Sequence, residues 1–474
     1  SYGAPAGSAA CGTKRTDAPL VAFSASATAA PPAQRASAGA PRGANGAHQG
    51  ACQSIGGAAG ASEGRSVTIA GRSCHTPPKN APTPLPAAPT ARARGRDIHE
   101  QHRVATPLEL LFDLSFVVAI ALAASQLHHG VMEHHTGPAL AGFVAAFSAI
   151  WWAWMNYTWF ASAYDDSAVF RLRTMLQTVG VLIFAAGVPG LFNGDFRAGV
   201  LGYAVMRLAL VVQWLLAARG DPACAATCRR FALGITLVQA LWIARLWFPV
   251  EWLWPTFVLF MACELAVPIV AKRRHGTPWH AHHIAERYSL LLSMTLGEVV
   301  LGATNAVAGM WQSFGWTLNL ALVGLGSTML AFALWWMYFL LPSGDALHRH
   351  RERGFFWGYG HFFIFASAAA VGAGLEGVAD VLKAGNQAAA GIADGGHALA
   401  PAGHAGNAAH GVSPLYAICI VALAHALFMF SLWVISTRTT RAEASQGGLA
   451  LLRLACVALG RLAVWLGAAL PWAC

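Results

Sequence analysis

The sequence predicts an all-α fold: a polytopic helical membrane protein with about eleven transmembrane helices. Of its 474 residues, 56% are hydrophobic and only 11% are charged, whereas soluble domains carry about 25% charged residues. Long apolar segments recur from residue 107 onwards, each close to the ~20 residues that a spanning helix needs. Continuous apolar segments of this length exclude a β-barrel, whose strands are short and alternate in polarity.

The first part of the chain differs in composition from the rest. Residues 1–95 are rich in Ala, Gly, Pro, Ser and Arg and contain almost no aliphatic clusters. Such a segment cannot bury enough apolar surface to offset its chain entropy, and it lacks the basic and then apolar regions of a secretory signal. We therefore predict a disordered N-terminal segment over 1–95 and a transmembrane helical domain over 96–474.

The predicted spans are the apolar segments, each of which ends where polar residues interrupt the hydropathy. The fifth and sixth are separated only by a short turn at Val250 and Glu251. In order, the eleven predicted spans lie near 107–127, 139–160, 174–192, 198–217, 231–249, 252–271, 288–308, 316–341, 355–382, 415–436 and 449–471.

The loops that follow the even-numbered spans are basic, whereas the other loops hold only Arg197 and Lys383. By the positive-inside rule, fourteen basic residues against two place the N-terminus in the cytoplasm and the C-terminus outside. The net charge of +10 thus reflects topology, and no nucleic-acid partner is expected. The fourteen are Arg171, Arg173, Arg219, Arg229, Arg230, Lys272, Arg273, Arg274, Arg287, Arg349, Arg351, Arg353, Arg438 and Arg441.

Two carboxylates occur at the start of the first predicted span, in the segment LELLFDLSFVVAIA. Glu109 and Asp113 are four residues apart, so they share one helix face. An ionised carboxylate in hydrocarbon costs at least ~2.5–3.5 kcal/mol on insertion scales. A span that only anchored the protein would have no use for them, which indicates a polar function in or at the edge of the bilayer.

The segment WHAHHIAERYSLLLSMTLGE, at the start of the seventh predicted span, is the richest in polar groups. His280, His283 and Glu286 recur every three residues, and Arg287 follows. Glu298 lies eleven residues after Arg287, on nearly the same helix face and ~16 Å deeper. Glu298 could therefore be a functional intramembrane carboxylate, or it could form a structural ion pair with an arginine of a neighbouring span.

Further polar groups occur in and next to the middle spans. Asn156 ends the second span, Asp165 follows it, and Arg171 opens the third; a solvated turn with a helix cap at Asp166 or Ser167 would also explain this pattern. Arg207 lies in the middle of the fourth span. Possible partners for buried charges include Arg245, Arg461, Glu264, Glu376, His361 and His425.

Aromatic and imidazole clusters have less specific interpretations. We interpret the tryptophans near span ends as an interfacial belt: Trp151, Trp152, Trp154, Trp159, Trp335 and Trp336. Imidazoles of the other loops could bind zinc or copper, but their spacing is irregular: His128, His129, His134, His135, His397, His404 and His410. Cys224 and Cys228 could form a metal pair. No metal ligand set and no cofactor is assigned.

Several motifs resemble one family. The stretches LELLFDLSFVVAIA, WWAWMNYTWFASAYDD, GYAVMRLAL, ELAVP and WHAHHIAERYSLLLSMTLGE, in this order, are similar to the bacterial low temperature requirement A (LtrA) membrane proteins. The resemblance implies a multi-pass protein of the bacterial cytoplasmic membrane with a link to growth in the cold, and it assigns no biochemical activity. It marks Glu109, Asp113, Asn156, Asp165, Arg171, Arg207, His280, His283, Glu286, Arg287 and Glu298 as positions that match the family's motifs.

Three functions are compatible with these residues. The first is a secondary transporter or channel for a small solute or ion, in which intramembrane carboxylates and imidazoles bind the solute, a coupling ion or a proton. The second is a membrane-embedded enzyme that acts on a lipid or isoprenoid with the same groups as acid, base or metal ligands. The third is a non-catalytic stress-adaptation protein. The expected partners are the lipid bilayer and a small solute or ion, and no oligomeric state is assigned.

For the first of these functions we predict a single polar site. Glu109, Asp113, Glu286, Arg287 and Glu298 are expected to line it between the first and seventh spans, and it should open to the cytoplasm. Charged groups in a span normally face the bundle interior or a water-filled cavity.

Overall fold

The structure is a computed structural model, and it describes residues 95–98, 100, 103–164, 168–393 and 412–439. The chain divides into two units, Ser1–Pro82 and Thr83–Cys474, and all described residues lie in the second. The segment predicted to be disordered therefore lies outside the described residues, except for Gly95, whose backbone pairs with that of Tyr164.

The described residues form ten long α-helices and one short α-helix, without a named strand, so the all-α prediction is confirmed. In chain order the helices are α1 (Pro107–Met132), α2 (Thr136–Ala163), α3 (Ala168–Phe192), α4 (Arg197–Gly220), α5 (Ala225–Ala244), α6 (Leu253–Ala271), α7 (Ala281–Phe314), α8 (Leu318–Phe339), α9 (Ser343–Arg349), α10 (Gly354–Ala393) and α11 (Pro414–Thr439).

Nine of the ten long helices in the described ranges are long and apolar enough to cross a membrane. The exception is α5, which carries Arg229 and Arg230 near its start. It corresponds to the fifth predicted span but ends at Ala244, before Arg245. These helices make the chain a multi-pass membrane protein.

One other predicted span differs at its start from the observed helix. The seventh begins earlier, at Ala281, because the His280 side chain caps α7 by accepting a hydrogen bond from the His283 N–H. The short helix α9 between α8 and α10 was not predicted. The eleventh predicted span, 449–471, lies outside the described residues.

The long helices run alternately between two faces of the bundle. We call the end where α1 starts the Thr106 face and the end where it finishes the Met132 face. At the Thr106 face, Arg103 Nη2 donates to the Ala161 carbonyl at the end of α2, 2.8 Å away. At the Met132 face, Thr136 at the start of α2 is hydrogen-bonded to Tyr416 at the start of α11. Where the structure describes them, the loops that are basic by sequence lie at the Thr106 face.

Helix α2 provides much of the buried core. Trp152 and Trp154 are fully buried, and each indole N–H donates to a carboxylate, of Glu264 and of Asp113 respectively. The interpretation of these two residues as part of an interfacial belt was therefore wrong. Trp335 and Trp336 of α8, by contrast, are exposed on the outside of the bundle.

Helices α3 and α4 approach each other closely through glycines. A Cβ atom built on Gly202 would lie 2.4 Å from the Phe184 backbone nitrogen, and one on Gly180 would lie 2.8 Å from the Gly202 carbonyl oxygen. Small residues of this kind let two membrane helices bring their backbones together. This contact joins α3 and α4 into a tight hairpin.

Candidate functional site

The ends of α1 and α7 at the Thr106 face meet in a buried ion cluster. We call Glu109, Asp113, Trp154, His283 and Arg287 the Arg287 network. The Arg287 guanidinium donates to both oxygens of Asp113, and its Nε lies 2.9 Å from Asp113 Oδ2. Its Nη1 lies 3.0 Å from Glu109 Oε1, although this N–H is not aligned as a hydrogen bond. One guanidinium therefore contacts two carboxylates.

Helix α1 is apolar on nearly all sides, and its two carboxylates lie on the face that packs against the bundle. Phe112, Asp113 and Phe116 are buried, whereas Leu111 and Leu114 are exposed on the opposite, lipid-facing side. Residues three and four apart share a helix face, so the apolar groups that anchor α1 in the bundle carry Asp113 with them.

Glu109 has a second role as a cap of α1. Its Oε2 accepts a hydrogen bond from the Thr106 N–H at 2.8 Å, and the Thr106 hydroxyl accepts one from the Glu109 N–H at 3.3 Å. This reciprocal capping box satisfies two backbone donors at the start of a helix, and Pro107 fits the first turn. The cap orients the carboxylate towards α7.

The network is enclosed on all sides. Asp113, His283 and Arg287 have 0% of their surface exposed. Trp154 Nε1 donates to Asp113 Oδ1 at 2.7 Å, and the Arg287 Cζ lies 5.8 Å from the ring centroid of Tyr157. These contacts tie α1, α2 and α7 together through polar groups that have been removed from lipid.

The charges of the network do not balance unless a proton is added. Two carboxylates face one guanidinium, and His283 Nε2 lies 3.4 Å from Glu109 Oε1. The other ring nitrogen, Nδ1, has no hydrogen-bond partner among the described residues. The net charge is −1 when His283 is neutral and zero when it is protonated. The cluster can therefore accept one proton with a gain in charge balance.

Two more of the expected site residues, Glu286 and His280, lie next to this cluster at the Thr106 face. Glu286 Oε2 accepts a hydrogen bond from the Ala105 N–H at 3.2 Å. His280 Nε2 lies 2.9 Å from the Glu100 carbonyl oxygen, and burial lowers the pKa of His280. The segment before α1 thus covers the network, and burial lowers the pKa of its Arg103 to about 10.

Glu298 lies elsewhere, so the expectation that it lines the same site is not met. It lies eleven residues beyond Arg287 on α7, about 16 Å along the helix axis, where α7 packs on α10. A Cβ atom on Gly372 of α10 would lie 3.3 Å from the Glu298 carbonyl oxygen. The carboxylate of Glu376, on the next turn of α10, accepts a hydrogen bond from Asn305 at 3.2 Å.

A second buried ion cluster lies between α2, α4 and α6. We call Arg207, Glu264, Tyr203 and Trp152 the Arg207 network. Arg207 Nη2 lies 3.1 Å from Glu264 Oε2, to which the Trp152 indole also donates at 2.8 Å. Tyr203 donates to Glu264 Oε1 at 3.0 Å. Arg207 and Glu264 are 1% and 2% exposed. Both Arg207 and Glu264 were named from sequence as buried charged groups, but their pairing with each other was not predicted.

Two of the remaining candidates, Asn156 and Arg171, lie in the described residues, on α2 and α3. Asn156 donates to the Trp152 carbonyl within α2 at 2.8 Å. Arg171 is exposed near the start of α3. Asp165 lies outside the described residues. Asn156 therefore bonds to the backbone of a member of the Arg207 network.

The described residues contain no group of three His, Cys, Asp or Glu side chains that could hold a metal ion. Cys228 lies 3.0 Å from the Tyr164 hydroxyl, and burial raises the pKa of Cys224 to about 12. His128 contacts Asp380 at 3.2 Å. His397, His404 and His410 lie outside the described residues.

Lys272, at the end of α6, was not recognised as a special position. Its Nζ lies 5.0 Å from the ring centroid of Trp159 and 4.9 Å from that of Phe355, and no carboxylate among the described residues pairs with it. It borders a cavity of about 20 Å³ together with Asn156, enough for one water molecule. Burial lowers the pKa of Lys272 to about 8.

This lysine predicts a pH dependence of stability. The folded protein should release the Lys272 proton near pH 8, and the unfolded chain only near its ordinary pKa of 10.5. Between these values the unfolded chain binds more protons, so the free energy of unfolding should rise with pH. Unfolding in detergent from pH 7 to 10.5 should show this rise for the wild type relative to Lys272→Met. Arg274→Met, an exposed neighbour, is the control and should parallel the wild type.

Comparison with known proteins identifies the family. A family model described as bacterial low temperature requirement A protein (LtrA) matches residues 104–474. No curated protein and no solved structure matches the chain. The matched region includes all eleven helices and both ion networks, so the resemblance carried by the five sequence motifs is confirmed. The chain belongs to the bacterial low temperature requirement A family.

Proposed function

We propose that this protein is a secondary transporter for a small solute and that the Arg287 network is its proton-coupling site. The proposal rests on one observation: two buried carboxylates contact a single guanidinium, with an imidazole 3.4 Å from one of them. Ionisable groups inside membrane spans are costly, and they commonly mark proton relays and substrate pathways.

The geometry suggests which contact responds to a proton. Asp113 receives two aligned hydrogen bonds from Arg287 and one from Trp154, so it is the firmly held member. Glu109 contacts Arg287 without hydrogen-bond alignment and also faces His283. A proton taken up by Glu109 removes the attraction between this carboxylate and Arg287, which weakens the link between α1 and α7 without releasing Asp113. Proton binding would then favour a different arrangement of these helices.

A structural role is the competing function. The same contacts could serve only to fix the packing of α1, α2 and α7, and the complete pairing of Asp113 favours this alternative. The two functions predict different results for a variant that lacks one titratable group but keeps the fold. A coupling site would lose proton movement, whereas a structural contact would not affect it.

Proton flux in proteoliposomes tests the proposal. Purified protein is reconstituted with a pH-sensitive dye in the lumen, and a library of small organic acids, amines, amino acids and inorganic ions is added outside. We expect at least one solute to move protons with the wild type and not with protein-free vesicles. Glu109→Gln should abolish this proton movement because it removes the carboxylate that takes up the proton in this proposal.

Glu298→Gln is the matched control, since it neutralises a carboxylate of α7 outside the network and should leave the solute-dependent proton movement intact. Equal folded yields of the two variants establish that the loss is functional. The transport proposal fails if no solute moves protons with the wild type, or if Glu109→Gln behaves like it.

We also propose that the Thr106 face lies at the cytoplasmic side of the bacterial inner membrane. Two residues change the count of basic residues in the loops: Arg287 is buried in α7 and is not a loop residue, and Arg245 is a further basic residue at the Met132 face. The loops of the Thr106 face still hold most of the basic residues, which favours this orientation. Alkaline phosphatase fused after residue 312 should be active, and fused after residue 280 inactive. The reverse pattern would refute the orientation.

A further inference from the structure

A large cavity opens at the Met132 face, away from the Arg287 network. Its volume is about 520 Å³, within the range of roughly 300–1,000 Å³ typical of small-molecule sites. It lies between α2 and the group formed by α3, α4, α5 and α6. Its walls are mostly apolar and include Phe184, Leu191, Phe192, Trp254, Phe257 and Met261. Gly194 and Trp254 are exposed, which marks the opening.

One charged residue lines this cavity among the described residues, and it is Arg245. Arg245 is only 6% exposed. Its Nη1 donates to the Phe248 carbonyl at 3.0 Å, and its guanidinium lies 5.9 Å from the ring centroid of Phe196. Its Nε and Nη2 have no hydrogen-bond partner in the part of the chain that the structure describes.

The two free nitrogens form one edge of the guanidinium. Nε–H and Nη2–H are parallel donors, and this edge is the one with which Arg287 binds both oxygens of Asp113. An arginine edge of this kind matches a carboxylate or phosphate group in a bidentate manner. Leaving a buried charge without a partner is costly, so a buried, unpaired edge of an arginine that lines an apolar cavity indicates a place for an anion.

We propose that this cavity binds a single-chain amphipath with an acidic head group, of the fatty-acid type. The carboxylate of such a molecule would pair with the Nε–Nη2 edge of Arg245, and its alkyl chain would lie along the aromatic and aliphatic walls. The volume suits one chain, whereas a two-chain phospholipid is too large. This inference goes beyond the proposed transport function and does not depend on it.

The cavity also borders the Arg207 network. The Tyr203 ring forms part of its wall, and the Tyr203 hydroxyl donates to Glu264. The bound chain would contact the ring while the hydroxyl keeps its partner. The site thus combines a charged anchor at the Met132 face with an apolar interior, which is the distribution that an amphipath requires.

Binding of radiolabelled decanoate tests the inference. The full chain is placed in nanodiscs of phosphatidylcholine at high salt, which suppresses surface-charge effects. We expect saturable binding of decanoate, at least tenfold weaker binding of decanol, and at least a tenfold loss of decanoate affinity in Arg245→Gln. Arg197→Gln removes an exposed charge at the same face and should bind like the wild type. Decanoate should also raise the Tm of the wild type but not that of Arg245→Gln.

A second variant and a competition experiment with a two-chain lipid complete the test. Ala145→Phe fills part of the cavity from the α2 side and should also weaken decanoate binding. Equal affinity of the wild type and Arg245→Gln, or equal binding of decanol and decanoate, would overturn the inference. It would also be overturned if phosphatidylglycerol in the disc displaced decanoate at high salt, because the occupant would then be a two-chain lipid.

Discussion

Replacing Arg287 by glutamine is expected to lower the free energy of unfolding by about 3–5 kcal/mol, the usual cost of removing one partner of a buried ion pair. The variant leaves Asp113 fully buried with only Trp154 as a donor, and it leaves Glu109 next to a second carboxylate. Reversible unfolding in mixed detergent micelles, followed by loss of helical circular dichroism, measures the difference.

A charge-matched variant separates this effect from simple loss of packing. Asp113→Asn combined with Arg287→Gln removes one charge of each sign, so the double variant should be more stable than Arg287→Gln alone. Residues in one network do not contribute additively to stability. Comparing the two single variants with the double variant therefore gives the interaction energy between Asp113 and Arg287. The network would not be a stabilising ion pair if Arg287→Gln cost less than about 1 kcal/mol, the scale of an exposed pair.

Breaking the Arg207–Glu264 pair is expected to cost a similar amount. Arg207→Met leaves the Glu264 carboxylate buried among Tyr203 and Trp152, so the free energy of unfolding should fall by about 3–5 kcal/mol. Replacing both members with Arg207→Met and Glu264→Leu should recover most of the loss, since apolar side chains often replace a buried pair at no net cost. The same unfolding assay measures both variants.

Arg219→Met is the control for this experiment, because Arg219 lies in the last turn of the same helix and is exposed. It should change stability by no more than about 0.5 kcal/mol. A double variant as unstable as Arg207→Met would mean that the cost comes from lost packing of the arginine side chain and not from the unpaired carboxylate.

The fold class and the inward-facing charges were predictable because they depend on short-range patterns. Hydropathy over ~20 residues locates a span, and ten of the eleven predicted spans correspond to helices in the described residues. The four-residue spacing of Glu109 and Asp113 placed both on the face that meets Arg287. That the first and seventh spans would meet was inferred from the position of the charged groups along both helices, since charges in a span normally face the bundle interior.

The rest of the site depends on distances between helices, which a single sequence does not contain. Glu298 shares a helix stripe with Arg287, but α7 is long enough that the two positions meet different neighbours, α1 and α10. In the sequence, Trp152 and Trp154 resemble tryptophans of a membrane interface because they lie near the end of a span. Their indole N–H groups in fact donate to carboxylates of other helices, α6 and α1. Helical periodicity predicts which face a residue occupies but not which helix lies opposite.

The distance along the chain between Asp113 and Arg287 has a consequence for biosynthesis. The two residues are 174 positions apart, which a ribosome working at about 5–20 residues per second needs roughly 9–35 s to cover. During this interval α1 has left the ribosome while its partner helix does not yet exist. Until α7 is made, the carboxylates of α1 lack their guanidinium partner, and an unpaired charge within a membrane span is costly. The pairing that buries these two carboxylates is therefore completed only when the seventh helix is made.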